Sequence, residues 1–159
     1  MQNGRVGNYM FGNVYKGKKV LVTGHTGFKG TWMTTWLLNL GAKVCGISID
    51  IPTKPSMFEE LKIEDEIEHH IADVRDQKQI ESIIREFEPD FLFHLAAQPI
   101  VSLSYNDPLS TISTNVIGTA NILESLRHLR HKCYAVIITS DKVYKNINGG
   151  NSNTSRQIP

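Results

Sequence analysis

Two cysteines are all the sequence has, Cys45 and Cys133, and neither is part of a CxxC or beside an HxxxH pair. That spacing gives no disulfide framework and no metal-ligand set, and because both lie in apolar runs they read as buried free thiols. His69, His70, His128 and His131 flank the ends of expected elements and read as surface or capping residues, so no metal is expected. Charge of one sign is missing too. Seventeen Lys and Arg stand against sixteen Asp and Glu, for a formal net charge of +1. Such a balance argues against nucleic acid or an anionic membrane as the main partner. No apolar run approaches the roughly 20 residues of a membrane span. Residues 1–17 show no basic start followed by a long apolar stretch, so no secretory signal is read and a reducing, cytoplasmic setting is expected.

What is present is an alternation of short β-branched runs with helical stripes. Lys19 to Thr23 is a brief apolar run closed by glycine, as expected of a strand buried on both faces. Phe28, Trp32, Trp36 and Leu40 then recur at steps of four beside Met33 and Leu37, predicting a helix with one apolar stripe stopped by Gly41. Further strands are expected at Lys43 to Ile49, Glu68 to Ala72, Asp90 to Ala97 and Tyr134 to Thr139. Ser56 with Glu59 has the capping-box pattern of a short helix. Asp76 can cap a helix carrying Ile80, Ile83, Ile84 and Phe87 on one face, closed by Pro89. Asp107-Pro108 starts a helix running to about Arg130. This order predicts an α/β fold: a Rossmann-type, doubly wound parallel sheet of about five strands in the order 3-2-1-4-5. The division expected is an N-terminal extension at 1–16, the nucleotide-binding domain at 17–144 and a disordered tail at 145–159, where Asn, Gly, Ser and Thr dominate.

The glycines of Gly24-His-Thr-Gly27-Phe-Lys-Gly30 follow the first strand and open the first helix. Gly24 suits the tight turn, Gly27 lets backbone approach a pyrophosphate, and Gly30 lets helix pack closely on strand. The helix N-terminus then faces the phosphates. Asp50, at the end of the second strand, can accept both ribose hydroxyls of NAD and would repel the additional phosphate of NADP.

The Gly-x-x-Gly-x-x-Gly spacing resembles the short-chain dehydrogenase/reductase superfamily, and further segments resemble its extended, nucleotide-sugar branch. Gly24 to Trp32, Ile51 to Phe58, Leu95-Ala-Ala-Gln-Pro99 and Thr139-Ser-Asp-Lys-Val-Tyr144 are similar to the CDP-glucose 4,6-dehydratases, a likeness running from about Phe11 to Tyr144. Lys29, Gln98 and Lys142 set it apart from sister dehydratases. The resemblance implies NAD contacts from Gly24, Thr26, Gly27, Phe28, Lys29 and Gly30, and from Asp50. It also implies an adenine-contacting segment at Asp73 and Val74, and a small-residue floor at Leu95, Ala96, Ala97 and Gln98. Asn115 would be the superfamily's helix asparagine, with a structural and proton-relay role. Ser140 would bond the sugar's C4 hydroxyl, Asp141 would protonate the departing C6 hydroxyl, and Lys142 would stand near C5. The implied substrate of the complete enzyme is CDP-glucose.

Two departures accompany the likeness. Ser102 stands where the family carries an arginine after Gln-Pro. The catalytic Tyr-x-x-x-Lys helix is not found: the only such spacing is Tyr15 to Lys19, ahead of the first strand. The expectation is therefore a fold truncated before the catalytic helix, inactive alone, and prone to homo-oligomerise or aggregate through helix 108–130. A cofactor-binding remnant without chemistry and a sister epimerase or dehydratase are the alternatives.

Overall fold

The computed structural model describes residues 10–140. Asp141, Lys142 and the tail at 145–159 lie outside the described residues. Five parallel strands form one sheet in the order β3-β2-β1-β4-β5, the order expected. They are β1 (Lys19–Thr23), β2 (Lys43–Ser48), β3 (Glu68–Ile71), β4 (Phe91–His94) and β5 (Tyr134–Ile137). The central β1 pairs with β2 on one side and β4 on the other, Val20 lying opposite both Val44 and Phe91.

Side chains alternate across the sheet and sort the helices into two layers. Val20 and Val22 pack on one face with Leu37 of α1 (Phe28–Asn39), with Val44 and with Phe93. Leu21, Cys45, Ile47 and Leu92 face the other way, against Ile80, Ile83, Ile84 and Phe87 of the later helix Gln77–Phe87, and Ile122. Part of the segment before residue 17 is packed as well: Tyr15 lies edge-on to Phe91, 5.0 Å between ring centroids, at the starting ends of the strands.

The first helix corrects the stripe expected of it. Its buried residues are Gly30, Thr31, Thr34 and Leu37, whereas Phe28 is 77% and Trp32 58% exposed. Only small side chains fit where α1 lies against the turn that precedes it, so the aromatic rows point outward. Trp32 and Trp36 line, with Met33, Leu95 and Ile138, an apolar hollow of about 640 Å³.

The short helix α2 (Met57–Glu60) is capped by Ser56, and α3 (Gln77–Phe87) by Asp76, which accepts from the Gln79 N–H at 3.1 Å. β4 ends at His94, three residues before the expected Ala97: the Leu95 N–H is shared between the Thr23 carbonyl and its hydroxyl, and the Ala96 N–H turns to the hydroxyl. An unexpected α4 (Val101–Asn106) follows, with no buried residue. Its Val-Ser-Leu-Ser alternation carries no helical period, and Asp107-Pro108 stops it. The expected long helix is divided into α5 (Pro108–Ile112), a π-helical segment (Ser113–Ile117) and α6 (Gly118–Arg127). Asp107 caps it as read, bonding the Ser110 N–H at 3.0 Å. Cys45 is fully buried but Cys133 only half so, since it precedes the outermost strand. No helix among the described residues is long and apolar enough to cross a membrane.

Among the described residues, Leu109, Ile112 and Val116 along this helix and Tyr134 and Val136 of β5 are exposed. An apolar helix face beside an unpaired strand edge is a surface for association. The 159-residue chain is therefore expected to scatter light as oligomer or aggregate, not as the 17.9 kDa monomer, at high concentration. A monodisperse monomer there would count against it.

Candidate functional site

The sheet order reverses between β1 and β4, and in such sheets ligands settle outside the carboxyl ends of the strands at that point. Here the two strand ends are tied by one hydroxyl. Thr23 Oγ1 is fully buried and accepts the N–H groups of Leu95 and Ala96, both at 3.1 Å. With both acceptor positions taken, its own proton goes to His94 Nδ1 at 2.7 Å. That fixes the tautomer: His94 Nε2–H donates to Thr119 Oγ1 at 3.0 Å, and Thr119 donates to the Asn115 carbonyl at 2.7 Å.

Gly24 follows immediately, at φ +73°, and a Cβ there would stand 2.8 Å from the Ala96 nitrogen. A Cβ on Gly30 would come within 2.0 Å of the Gly24 carbonyl. Both glycines are demanded by the fold. Gly27 is not: its backbone is extended, and a Cβ would meet only the Gly24 oxygen, at 3.4 Å. Packing therefore has room for a side chain at the one glycine that faces outward, at the N-cap of α1. No side chain caps that helix. Its first-turn N–H groups, on Phe28, Lys29 and Gly30, have no intrahelical acceptor and together with the helix dipole form an anion cradle.

The turn is also fastened to β2. Thr26 N–H donates to Ser48 Oγ at 3.2 Å, and Thr26 Oγ1 donates to the Asp50 carbonyl at 2.6 Å. Asp50 itself is exposed at the rim. Across the cleft, the Arg75 guanidinium and N–H bond both Asp73 carboxylate oxygens and hold that carboxyl below the usual range. Asn115, in the π-helical segment, clamps one residue by its backbone, accepting the Gln98 N–H at 2.8 Å and donating to the Gln98 carbonyl at 3.1 Å. The Gln98 side chain reaches Thr111 and the Ile100 N–H.

These parts enclose a cleft of about 1160 Å³, lined by every residue singled out from the sequence as a cofactor contact, and by Ser140. The structure thus brings the turn, Asp50, Asp73, Val74, Leu95 to Gln98 and Asn115 together. Tyr15 is not brought there; it sits at the opposite end of the sheet.

Sequence reasoning missed His25, Ser48, Thr23 and Thr119, and placed His69 at the surface. His69 is in fact half-buried, its Nδ1 meeting His25 Nε2 at 2.7 Å, because the strand ladder sets it beside the turn. The available signal was Gly46, a glycine in mid-strand, which marks a close approach. Away from the cleft, Cys45, Glu68 and His70 bring ligand atoms within 4.8 Å of one another. Burial, then Glu68, drives the Cys45 thiol far up, and burial, then Asp90, pushes Cys133 up to about 11, so the surroundings disfavour the thiolate at both.

Comparison with known proteins gives a consistent picture. Residues 21–155 match the family model described as GDP-mannose 4,6 dehydratase. CDP-glucose 4,6-dehydratase of Salmonella typhimurium is 49% identical over 134 residues, covering 84% of this chain but 37% of that protein. Among solved structures, UDP-glucose 4-epimerase of Thermus thermophilus in complex with NAD is 32% identical, with a TM-score of 0.61 over 69% of this chain and 33% of its own. An epimerase of Methanothermobacter thermautotrophicus is 27% identical, with a TM-score of 0.72 over 84% of this chain and 38% of its own. The chain thus spans under two fifths of the length of each of these relatives.

The two buried imidazoles make stability pH-dependent. Burial holds both His25 and His94 down at about 4, with His69 and His70 adding to the effect at His25. Unfolded, each returns to about 6.5, so the unfolded chain binds more protons as pH falls. Stability should be intact above pH 6.5 and decline through the window down to about 4, by on the order of 3 kcal/mol per histidine. Urea midpoints between pH 7.5 and 4.5 measure this, and a flat profile would show that the imidazoles are solvated.

Proposed function

Because the chain belongs to the GDP-mannose 4,6-dehydratase family, we propose that it is the NAD-binding part of a nucleotide-sugar 4,6-dehydratase whose substrate is CDP-glucose. The observation that carries the cofactor reading is Gly27, left bare at an uncapped helix N-terminus although the fold has room for a side chain there. A pyrophosphate would need that space. It would take the N–H groups of Phe28 and Lys29, with the Lys29 ammonium beside it and the adenosine running toward Asp50 and Asp73. The 49% identity to the Salmonella enzyme supports the choice of CDP-glucose among nucleotide sugars.

Bound NAD supplies a reversible hydride acceptor for this chemistry. In the proposed reaction the glucose is oxidised at C4, water leaves across C5 and C6, and the hydride returns to C6. Ser140 lines the cleft at the exit of β5 and would bond the C4 hydroxyl. Asp141 is proposed as the acid for the departing C6 hydroxyl, and Lys142 as the group near C5; such acid–base assistance is worth about 10²–10⁴-fold. An acid at this point favours dehydration over epimerisation, which expels no hydroxyl.

Calorimetric titration should show NAD bound and NADP bound more weakly, since the exposed carboxylate of Asp50 would face the additional phosphate. Equal or tighter NADP binding would overturn the Asp50 assignment. Gly27→Val should leave the melting temperature close to that of the parent chain and abolish NAD binding, whereas Gly30→Ala should unfold the turn and lose both. A Gly27→Val chain that binds normally would move the phosphate site elsewhere.

The 159-residue chain is expected to bind NAD without turning over CDP-glucose. Its only Tyr-x-x-x-Lys spacing, Tyr15 to Lys19, lies at the far end of the sheet, so no such tyrosine stands at the cleft to take the C4 proton. Absorbance of the 4-keto-6-deoxy product in alkali reads the assay. Turnover at the rate of a full-length dehydratase would place the base on another residue.

A further inference from the structure

His25 is the one fully buried side chain of the glycine turn with two polar ring atoms, and both are engaged. Its ring lies flat on β2: a Cβ on Gly46 would stand 2.4 Å from His25 Cδ2 and 2.7 Å from its Nε2, so the strand gives up a side chain to admit the imidazole. Phe58 of α2 closes the other side edge-on, with 5.2 Å between centroids. Nδ1 meets Ser48 Oγ at 2.9 Å, and Nε2 meets His69 Nδ1 at 2.7 Å. Ser48 Oγ is the acceptor of the Thr26 N–H, and Thr26 in turn holds the Asp50 carbonyl.

We propose that His25 is a positioning residue for the cofactor: through Nδ1 it sets the Ser48 hydroxyl that fastens the Thr26 amide, and so fixes the separation between the helix N-terminus and the Asp50 rim. This rests on the reading of the cleft as an NAD site. The proton count allows two arrangements. Either His25 Nε2–H donates to His69 and Nδ1 accepts the Ser48 hydroxyl, or His69 Nδ1–H donates and His25 Nδ1–H points at Ser48. In both, one hydrogen lies between the rings and Ser48 Oγ still accepts from Thr26. A side chain that reached only one of these partners would hold either Ser48 or His69, and only the first matters to the turn.

That asymmetry supplies the test. Asparagine at position 25 carries its polar atoms near the place of Nδ1 and can reach Ser48; glutamine carries them near the place of Nε2 and can reach only His69. A packing role alone would penalise the smaller asparagine more. The variants His25→Asn, His25→Gln and Ser48→Ala are compared in the 159-residue chain by hydrogen exchange of the Thr26 amide without ligand, by calorimetric NAD affinity and by melting temperature. Expected are His25→Asn close to the parent chain, with His25→Gln and Ser48→Ala showing Thr26 exchange faster and NAD binding weaker by about tenfold, the effect of one lost hydrogen bond. Ser48→Ala, which keeps the ring and its packing, serves where a His25 variant fails to fold. Thr26 exchange that follows melting temperature, with asparagine worse than glutamine, or that is unmoved by Ser48→Ala, overturns the proposal. A parent chain with this exchange pattern that binds no NAD overturns the cofactor reading instead and leaves His25 as the anchor of the turn.

Discussion

At the end of β1 the buried Thr23 hydroxyl gathers the N–H groups of Leu95 and Ala96, and the next residue, Gly24, lies so close to Ala96 that no side chain fits between them. Parallel strands meet only through their ladders, and the ladder stops where the strands do. At the reversal point of the sheet the two strand exits would otherwise splay apart under sheet twist. The hydroxyl continues the pairing one step further by a side chain. With the Leu95 N–H still shared with the Thr23 carbonyl, it draws the chain out of the ladder at Ala96, frees Ala96 to Gln98 from strand geometry, and so turns a sheet edge into the floor of a cleft.

Two neutral imidazoles extend this tie to either side of β1. His94 passes it to Thr119 and the Asn115 carbonyl, where the helix widens into its π-helical turn. Asn115 then grips the Gln98 backbone from above, so the floor is held at both ends. His25 carries the tie the other way, to β2 and β3. The energetic cost is desolvation of two rings that must remain uncharged, and what it yields is a turn whose N–H groups are aimed before anything binds. Preorganisation of that kind lowers the ordering penalty of binding.

The caps at Ser56, Asp76 and Asp107 and the glycine turn were legible in the sequence because each is set by residues within a few positions of one another, and the strand order followed from the alternation of strands and helices with right-handed crossovers. The α3 stripe was legible for the same reason, its isoleucines and Phe87 all facing one apolar layer shared by the sheet and Ile122 of α6. The α1 stripe was not, although its apolar spacing is as regular. There the closeness of helix to turn, not hydrophobicity, chose the inward face, and Gly30, Thr31 and Thr34 won it by size. The histidine ties were hidden by distance along the chain: His25 finds its partner 44 residues away, and Thr23 meets His94 across 71. A polar residue in a glycine turn and a glycine in mid-strand are each unremarkable, and only the fold shows that one makes room for the other.

Both tryptophans of the chain lie on the outward side of α1, Trp36 against Phe11 and Trp32 over the apolar hollow. Neither belongs to the buried core, whose large members are aliphatic or phenylalanine. The ultraviolet emission of the folded chain is thus that of partly hydrated indoles, open to collisional quenchers. Its colour responds weakly to loss of the core and strongly to whatever comes to cover the helix. The same two side chains that sequence periodicity assigned to the interior serve instead as a built-in optical gauge of the outer surface, about one and two turns of helix away from the phosphate cradle.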